Sequence, residues 1–149
     1  TVPGTLLSCP AGAIGWAMGA SLGAKAAAPD KTVVTLLTDG GFVWGCPTST
    51  LWTATTYGLS FLAVIFNNQG YGVVRGSQKE ILGVHRLTDQ YTFEAGVEFM
   101  PDYAMIARAC GAYGRTVDDP ADVLPALQEG LARVRAGQAA VLDVRLGRD

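Results

Sequence analysis

The sequence predicts an α/β fold, a three-layer sandwich in which a mainly parallel sheet lies between helices, and three observations carry that prediction. Continuous apolar, β-branched runs recur at residues 32–37, 61–66 and 139–144. Segments with helical start and stop signals separate them. Unbroken rather than alternating apolar character marks strands buried on both faces, which a parallel sheet achieves only with helices on each side. With 149 residues, 49% of them hydrophobic, residues 1–149 can build one domain with a sizeable core.

The elements follow in order. Residues 11–28 carry one charge, Lys25, and space Gly15, Gly19 and Gly23 four apart, as on the small-residue face of a membrane helix. The stretch is too short and too rich in Gly and Ala for the ~20 strongly apolar residues of a span. It reads instead as a buried helix whose glycine face lets another backbone come close. After the turn Ala28-Pro29-Asp30 comes the strand at 32–37. A helix is expected at 48–57, introduced by Pro47 and closed by Gly58. The strand at 61–66 ends in Asn67-Asn68-Gln69-Gly70. Residues 75–100 are more polar and lack periodicity, and 73–100 read as a lid. A helix at 102–110 stops at Gly111, and a short strand spans 113–117. The helix at 121–136 puts Val123, Leu127, Leu131 and Val134 on one face, and Gly137 ends it before the last strand, 139–144.

Composition removes several function classes. The formal net charge is -2 and no basic stripe is present, so nucleic acid is not an expected partner. Cys9, Cys46 and Cys110 are odd in number and widely spaced, which suggests neither a disulfide framework nor a zinc site. A reducing, cytoplasmic setting without membrane attachment is the expectation. The one histidine, His85, rules out a His-rich metal site within the chain and reads as an ordinary loop residue. No signal-peptide pattern is present and the chain begins with Thr1, so a processed chain or a piece of a longer one is expected.

The chemistry concentrates in "TLLTDGGFVWG", residues 35–45. A strand stops at a lone carboxylate, Asp39, followed by Gly40 and Gly41. In parallel sheets ligands bind at the carboxyl ends of strands, and Asp39 and Asn68 each lie just past one, with a crossover between them. They are expected to face one another. A carboxylate, an amide oxygen and glycine carbonyls are hard ligands suited to Mg²⁺, which shares its octahedron with phosphate oxygens. The two glycines would let a diphosphate approach the backbone. The nucleotide motifs are absent: there is no G-x-x-x-x-G-K-[ST], no G-x-G-x-x-G follows a strand, and Arg75 stands where Gly70-Tyr71-Gly72 would need its third glycine.

Asp39-Gly40, 26 intervening residues (41–66) and Asn67-Asn68 resemble the thiamine diphosphate signature of the decarboxylase and acetolactate synthase superfamily, G-D-G and N-N around a spacer of this length. "CPAGAIGWAMGASLGA", residues 9–24, is similar to that family's aminopyrimidine-cradling segment. "STLWTATTYGL", residues 49–59, is similar to the "ALWTA" helix of benzoylformate-decarboxylase-like members. Two departures stand out. Thr38 replaces the first glycine of G-D-G, and Gly41 replaces the serine that commonly helps hold the diphosphate.

The resemblance implies the C-terminal thiamine diphosphate-binding domain of such an enzyme, lacking its first strand-helix unit. It implies that Asp39, the Asn68 side chain and the Gly70 carbonyl bind Mg²⁺, and that the backbone of Gly40 and Gly41 meets the diphosphate. Gly12 would offer its carbonyl to the exocyclic amine, and Ile14 would support the bent shape of the cofactor. Ala13 and Tyr71 complete the cofactor-binding set. No catalytic residue is expected in this chain, because the family's glutamate belongs to a pyrimidine-binding domain, usually on a neighbouring subunit. The partners implied are that domain or subunit, a small 2-oxo acid substrate and further copies in a homo-oligomer.

The implied function is the cofactor-binding portion of a 2-oxo acid decarboxylase or carboligase, benzoylformate decarboxylase-like, with an acetolactate synthase-like carboligase as the alternative. A non-catalytic phosphate-binding or regulatory module is a reading of another class. Taken singly, Asp39 is also compatible with a helix cap, Ile14 with plain core and Asn67-Asn68 with a turn.

Overall fold

The computed structural model describes residues 2, 4–9, 11–82 and 100–147. His85, Glu94, Glu98 and most of the expected lid lie outside the described residues. Four strands form one sheet: β1 (Val34–Thr38), β2 (Leu62–Asn67), β3 (Tyr113–Val117) and β4 (Ala140–Arg145). Their order is β1-β2-β4-β3, and every pairing is parallel. Before β1 comes α1 (Trp16–Ala27); α2 (Asp39–Trp44) and α3 (Pro47–Tyr57) connect β1 to β2. After β2 come α4 (Gly72–Leu82) and α5 (Tyr103–Ala109), and a 3-10 turn (Pro120–Asp122) with α6 (Val123–Arg135) joins β3 to β4.

The two faces of the sheet carry separate cores. On one, Met18 of α1, Leu51 and Ala54 of α3, and Tyr103 and Ala107 of α5 pack with Leu37, Ala63, Ile65 and Val141. On the other, Ala126 and Val134 of α6 pack with Leu62, Val64, Val117, Leu142 and Val144. This is the expected sandwich. Burial of β1 differs from the sequence reading, because Val34 and Leu36 are exposed while Thr35 and Leu37 are buried. Among the described residues β1 ends the sheet, and the core beneath α6 is built from β2, β3 and β4 with no residue of β1.

Three other expectations are corrected. Residues 75–82 of the polar stretch, for which the sequence reading placed no element, belong to α4. Helix α2 begins at Asp39 itself, so Asp39, Gly40 and Gly41 form the first turn of a helix, where the sequence reading placed the first helix after β1 at 48–57. In α1 the glycine face is not buried: Gly19 and Gly23 have nothing within 4 Å of a Cβ position, and the packed residues are Met18 and Ser21. Of the three spaced glycines, Gly15 does meet another backbone as expected: its Cβ would fall 2.4 Å from the Trp44 carbonyl oxygen, and its φ is +86°. Its left-handed backbone, costly for residues with a Cβ, caps α1. Helix α3 starts with Pro47 and ends on left-handed Gly58, as expected.

Candidate functional site

Strands β1 and β2 are adjacent and in register, Thr38 beside Phe66, so the residues that follow each strand emerge side by side. Asp39 is 2% exposed. Its Oδ1 accepts from the Gly40 amide at 2.8 Å and its Oδ2 from the Gly70 amide at 3.0 Å. Thr38 is the N-cap of α2, its Oγ1 accepting from the Gly41 amide at 3.1 Å. The two departures from the family pattern are thus neighbours in one contact, the hydroxyl at 38 holding the amide at 41.

After β2 the chain makes an Asx turn: Asn67 Oδ1 accepts from the Gln69 amide at 2.9 Å, with Gln69 in the left-handed region at φ 59°. The turn presents Asn68 and Gly70 to Asp39. One terminal atom of the Asn68 carboxamide lies 3.3 Å from Asp39 Oδ2 and 2.8 Å from the Gly70 carbonyl oxygen. The NH₂ in that position donates to both oxygens. Turned over, the amide oxygen joins the carboxylate and the carbonyl in a three-oxygen cluster. Ligands at the Mg–O distance of ~2.1 Å are about 3 Å apart along an octahedral edge, so the spacing and the hard donor set fit Mg²⁺. Among the described residues no group of three or more His, Cys, Asp or Glu side chains could hold a metal.

Three more of the expected residues meet at Gly40. A Cβ there would lie 3.1 Å from Tyr71 Cε1 and 3.4 Å from Ile14 Cδ1. Ile14 is 57% exposed although apolar, so it is not core. The structure therefore brings Ile14, Asp39, Gly40, Asn68, Gly70 and Tyr71 together. Gly41 sits one residue further along α2. Gly12, with φ +64° and its amide donating to the Cys9 carbonyl at 3.2 Å, and Ala13 lie in the exposed turn leading to Ile14, without a described contact to the cluster.

Beneath this surface lies a pair that sequence reasoning missed. Asp143 of β4 is 1% exposed, and its Oδ1 accepts from Asn67 Nδ2 at 2.8 Å. Burial pushes the Asp143 carboxyl up, opposed by the Asn67 hydrogen bond and by Arg145. The signal for it was a single charge inside the apolar run 139–144. Tyr103 is fully buried, and its phenol is pushed up by burial first and then by Asp39 and Asp143. The three cysteines are free thiols. Among the described residues, no helix is long and apolar enough to cross a membrane.

The family model for the thiamine pyrophosphate enzyme C-terminal, TPP-binding domain matches residues 2–144. Sulfoacetaldehyde acetyltransferase of Alcaligenes xylosoxydans xylosoxydans is 30% identical over 139 residues, 93% of this chain and 22% of the relative. The acetolactate synthase large subunit of Corynebacterium glutamicum is 33% identical over 138 residues, 93% of this chain and 21% of that one. The 2-hydroxyacyl-CoA lyase of Arabidopsis thaliana is 32% identical over 136 residues, 89% of this chain and 22% of the lyase. Among solved structures, the thiamine diphosphate-dependent 4-hydroxybenzoylformate decarboxylase of Rhodococcus jostii RHA1 superposes with a TM-score of 0.71 at 27% identity, over 91% of this chain and 24% of that one. The chain spans about a fifth of the length of the curated relatives it matches.

Proposed function

We propose, from the premise that this chain belongs to the thiamine pyrophosphate enzyme family as its C-terminal TPP-binding domain, that the cluster at the ends of β1 and β2 holds Mg²⁺ and the cofactor diphosphate for a 2-oxo acid decarboxylase or carboligase. The observation that carries the reading is the convergence of Asp39 Oδ2, the Asn68 carboxamide and the Gly70 carbonyl. Asp39 would contribute the only anionic protein ligand, Asn68 and Gly70 neutral oxygens, and the diphosphate further positions of the octahedron. The backbone of Gly40 and Gly41 would lie against the diphosphate. Ile14 would support the rings from its exposed position beside Gly40, and the Gly12 carbonyl would accept from the exocyclic amine. When bound, thiamine diphosphate supplies a nucleophilic carbon for the substrate carbonyl and a sink for the electrons released with CO₂. By fixing the cofactor's shape, these residues would hold its amino group against the carbon it must deprotonate.

The structural neighbour supports a benzoylformate decarboxylase-like reading. The acetolactate synthases and the acetyltransferase among the sequence relatives support carboligation as the alternative. A pyrimidine-binding domain or subunit would cover the site, in a homo-oligomer. Ile14, Trp16 and Trp44 support this, because they are exposed on segments that meet where Gly15 abuts Trp44. A cytoplasmic location is part of the same reading, supported by the free cysteines. Calorimetric titration with thiamine diphosphate, with and without Mg²⁺, tests the proposal. Tight binding only with the metal is expected, and binding indifferent to Mg²⁺ would overturn it.

A further inference from the structure

Asn67 connects the sheet to the turn that carries the proposed metal ligands. Its Nδ2 donates to Asp143 on β4, and its Oδ1 accepts from the Gln69 amide. Asn67 and Asp143 are 2% and 1% exposed, and the register of β2 and β4, Ile65 beside Asp143 and Asn67 beside Arg145, puts both side chains on one face of the sheet. Both ends of the Asn67 carboxamide are therefore committed. If the amide turned over, its NH₂ would face the Gln69 N–H and its oxygen would face the Asp143 carboxylate. Asp143 Oδ1 is the acceptor in this buried contact, so it selects one orientation of Asn67. That orientation is the one that closes the turn through left-handed Gln69.

An ionised carboxylate in this position is costly, and burial disfavours its charged form. Arg145 Nε stands 3.9 Å from Asp143 Oδ2, but Arg145 also pairs with Asp118 at 3.4 Å and is itself half exposed. Nothing described places Asp143 at the oxygen cluster; its specific hydrogen-bond donor is Asn67. An apolar residue would pack in the same strand without that cost.

We infer that Asp143 is a positioning residue for the cation site: by fixing the Asn67 amide it sets the 67–70 turn, and so places the Asn68 carboxamide and the Gly70 carbonyl against Asp39. The inference rests on the Mg²⁺ reading above. It assigns a role in metal affinity to a residue of β4, apart from the proposed ligands on α2 and in the turn after β2.

The test measures Mg²⁺ affinity calorimetrically in the full chain with thiamine diphosphate present, alongside Tm. Asp143→Ala is expected to weaken Mg²⁺ binding by ~10–100-fold, the loss usual for residues that orient metal ligands. Asn67→Asp, which sets two carboxylates face to face, should weaken it as well. The exchanged pair, N67D with D143N, restores one donor and one acceptor and still accepts from the Gln69 amide. It should recover most of the affinity lost in Asn67→Asp, the non-additivity expected of two residues in one hydrogen-bond network. A merely structural role would leave Mg²⁺ affinity unmoved in every variant that folds. Parent-like affinity in Asp143→Ala overturns the inference. If that variant does not fold, an exchanged pair as weak as Asn67→Asp overturns it equally. A parent chain whose thiamine diphosphate binding ignores Mg²⁺ overturns the functional reading instead, and this inference with it.

Discussion

The Gly70 amide donates to Asp39 Oδ2 at 3.0 Å across 31 residues of sequence, locking the segment after β2 onto the first residue of α2. The same carboxylate oxygen is 3.3 Å from the Asn68 carboxamide. Asp39→Ala is therefore expected to remove the anionic ligand and the anchor of the turn together. Mg²⁺-dependent affinity for thiamine diphosphate should fall by at least ~100-fold, beyond the loss seen when a residue only orients a ligand. Unchanged affinity by calorimetry would show that the site lies elsewhere.

Ile14 touches the surface over Gly40 without contributing to the core. In Ile14→Gly, Mg²⁺ and diphosphate affinity should stay within about threefold, while hydrogen exchange at the cofactor's thiazolium carbon in the assembled enzyme slows by ~10-fold or more, as positioning is lost. Exchange measured by NMR after acid quench checks this, and parent-like rates would argue against the contact.

Gly15→Ala tests the backbone crossing. The added Cβ would lie 2.4 Å from the Trp44 carbonyl oxygen at a φ of +86°, so neither the space nor the backbone suits it. A loss of roughly 2–4 kcal/mol is expected from strain and clash together. Gly19→Ala, with nothing within 4 Å, should stabilise α1 by up to about 1 kcal/mol. Denaturant titration of the two variants separates the cases.

Alkaline stability follows from Tyr103. Its folded-state ionisation is pushed above the ordinary value of 10 by burial and by Asp39 and Asp143. A raised pKa adds stability below the unfolded-state value, and this stability is lost as pH climbs from that value toward the folded one. Above about pH 10 the parent should lose up to ~1.4 kcal/mol per pH unit from this group. Tyr103→Phe should lack that slope, which urea titrations between pH 9 and about 11 would reveal; parallel slopes would contradict it.

Residues 1–149 supplied with cofactor, Mg²⁺ and a panel of 2-oxo acids are expected to release no CO₂. Glu129 lies on α6, against the sheet face opposite α1 and α3, and pairs with Arg115 and Arg133. Glu80 is exposed on α4. Neither has a described contact with Ile14 or the oxygen cluster, and the proton transfer to the pyrimidine that the family draws from another domain is worth ~10²–10⁴-fold. Robust turnover by this chain would overturn the expectation.

The pairing of Asp39 with Asn68 was legible because both follow apolar runs, and adjacent parallel strands with a crossover put their carboxyl ends together. Helix α2 was not, since Gly40 and Gly41 each cost about 1 kcal/mol in helix propensity. What stabilises that turn is non-local or easily overlooked, namely the Thr38 cap and the burial of Asp39 and Phe42. The exposure of Val34 and Leu36 was hidden for another reason: their run reads like any buried strand, and only the sheet order puts it at the end. Asp143 was visible as an isolated charge, but its partner Asn67 lies 76 residues away, a distance no local pattern spans.

The place of β1 at the end of the sheet bears on how the protein behaves in a tube. A strand with hydrogen-bonding groups on its open side and with Val34 at 47% and Leu36 at 65% exposure is a template for pairing with another strand, and charged residues that would repel such pairing are absent from its sequence VTLLT. Among the described residues nothing pairs with that side, so whatever is laid over β1 in the assembled protein also shields it from edge-to-edge association.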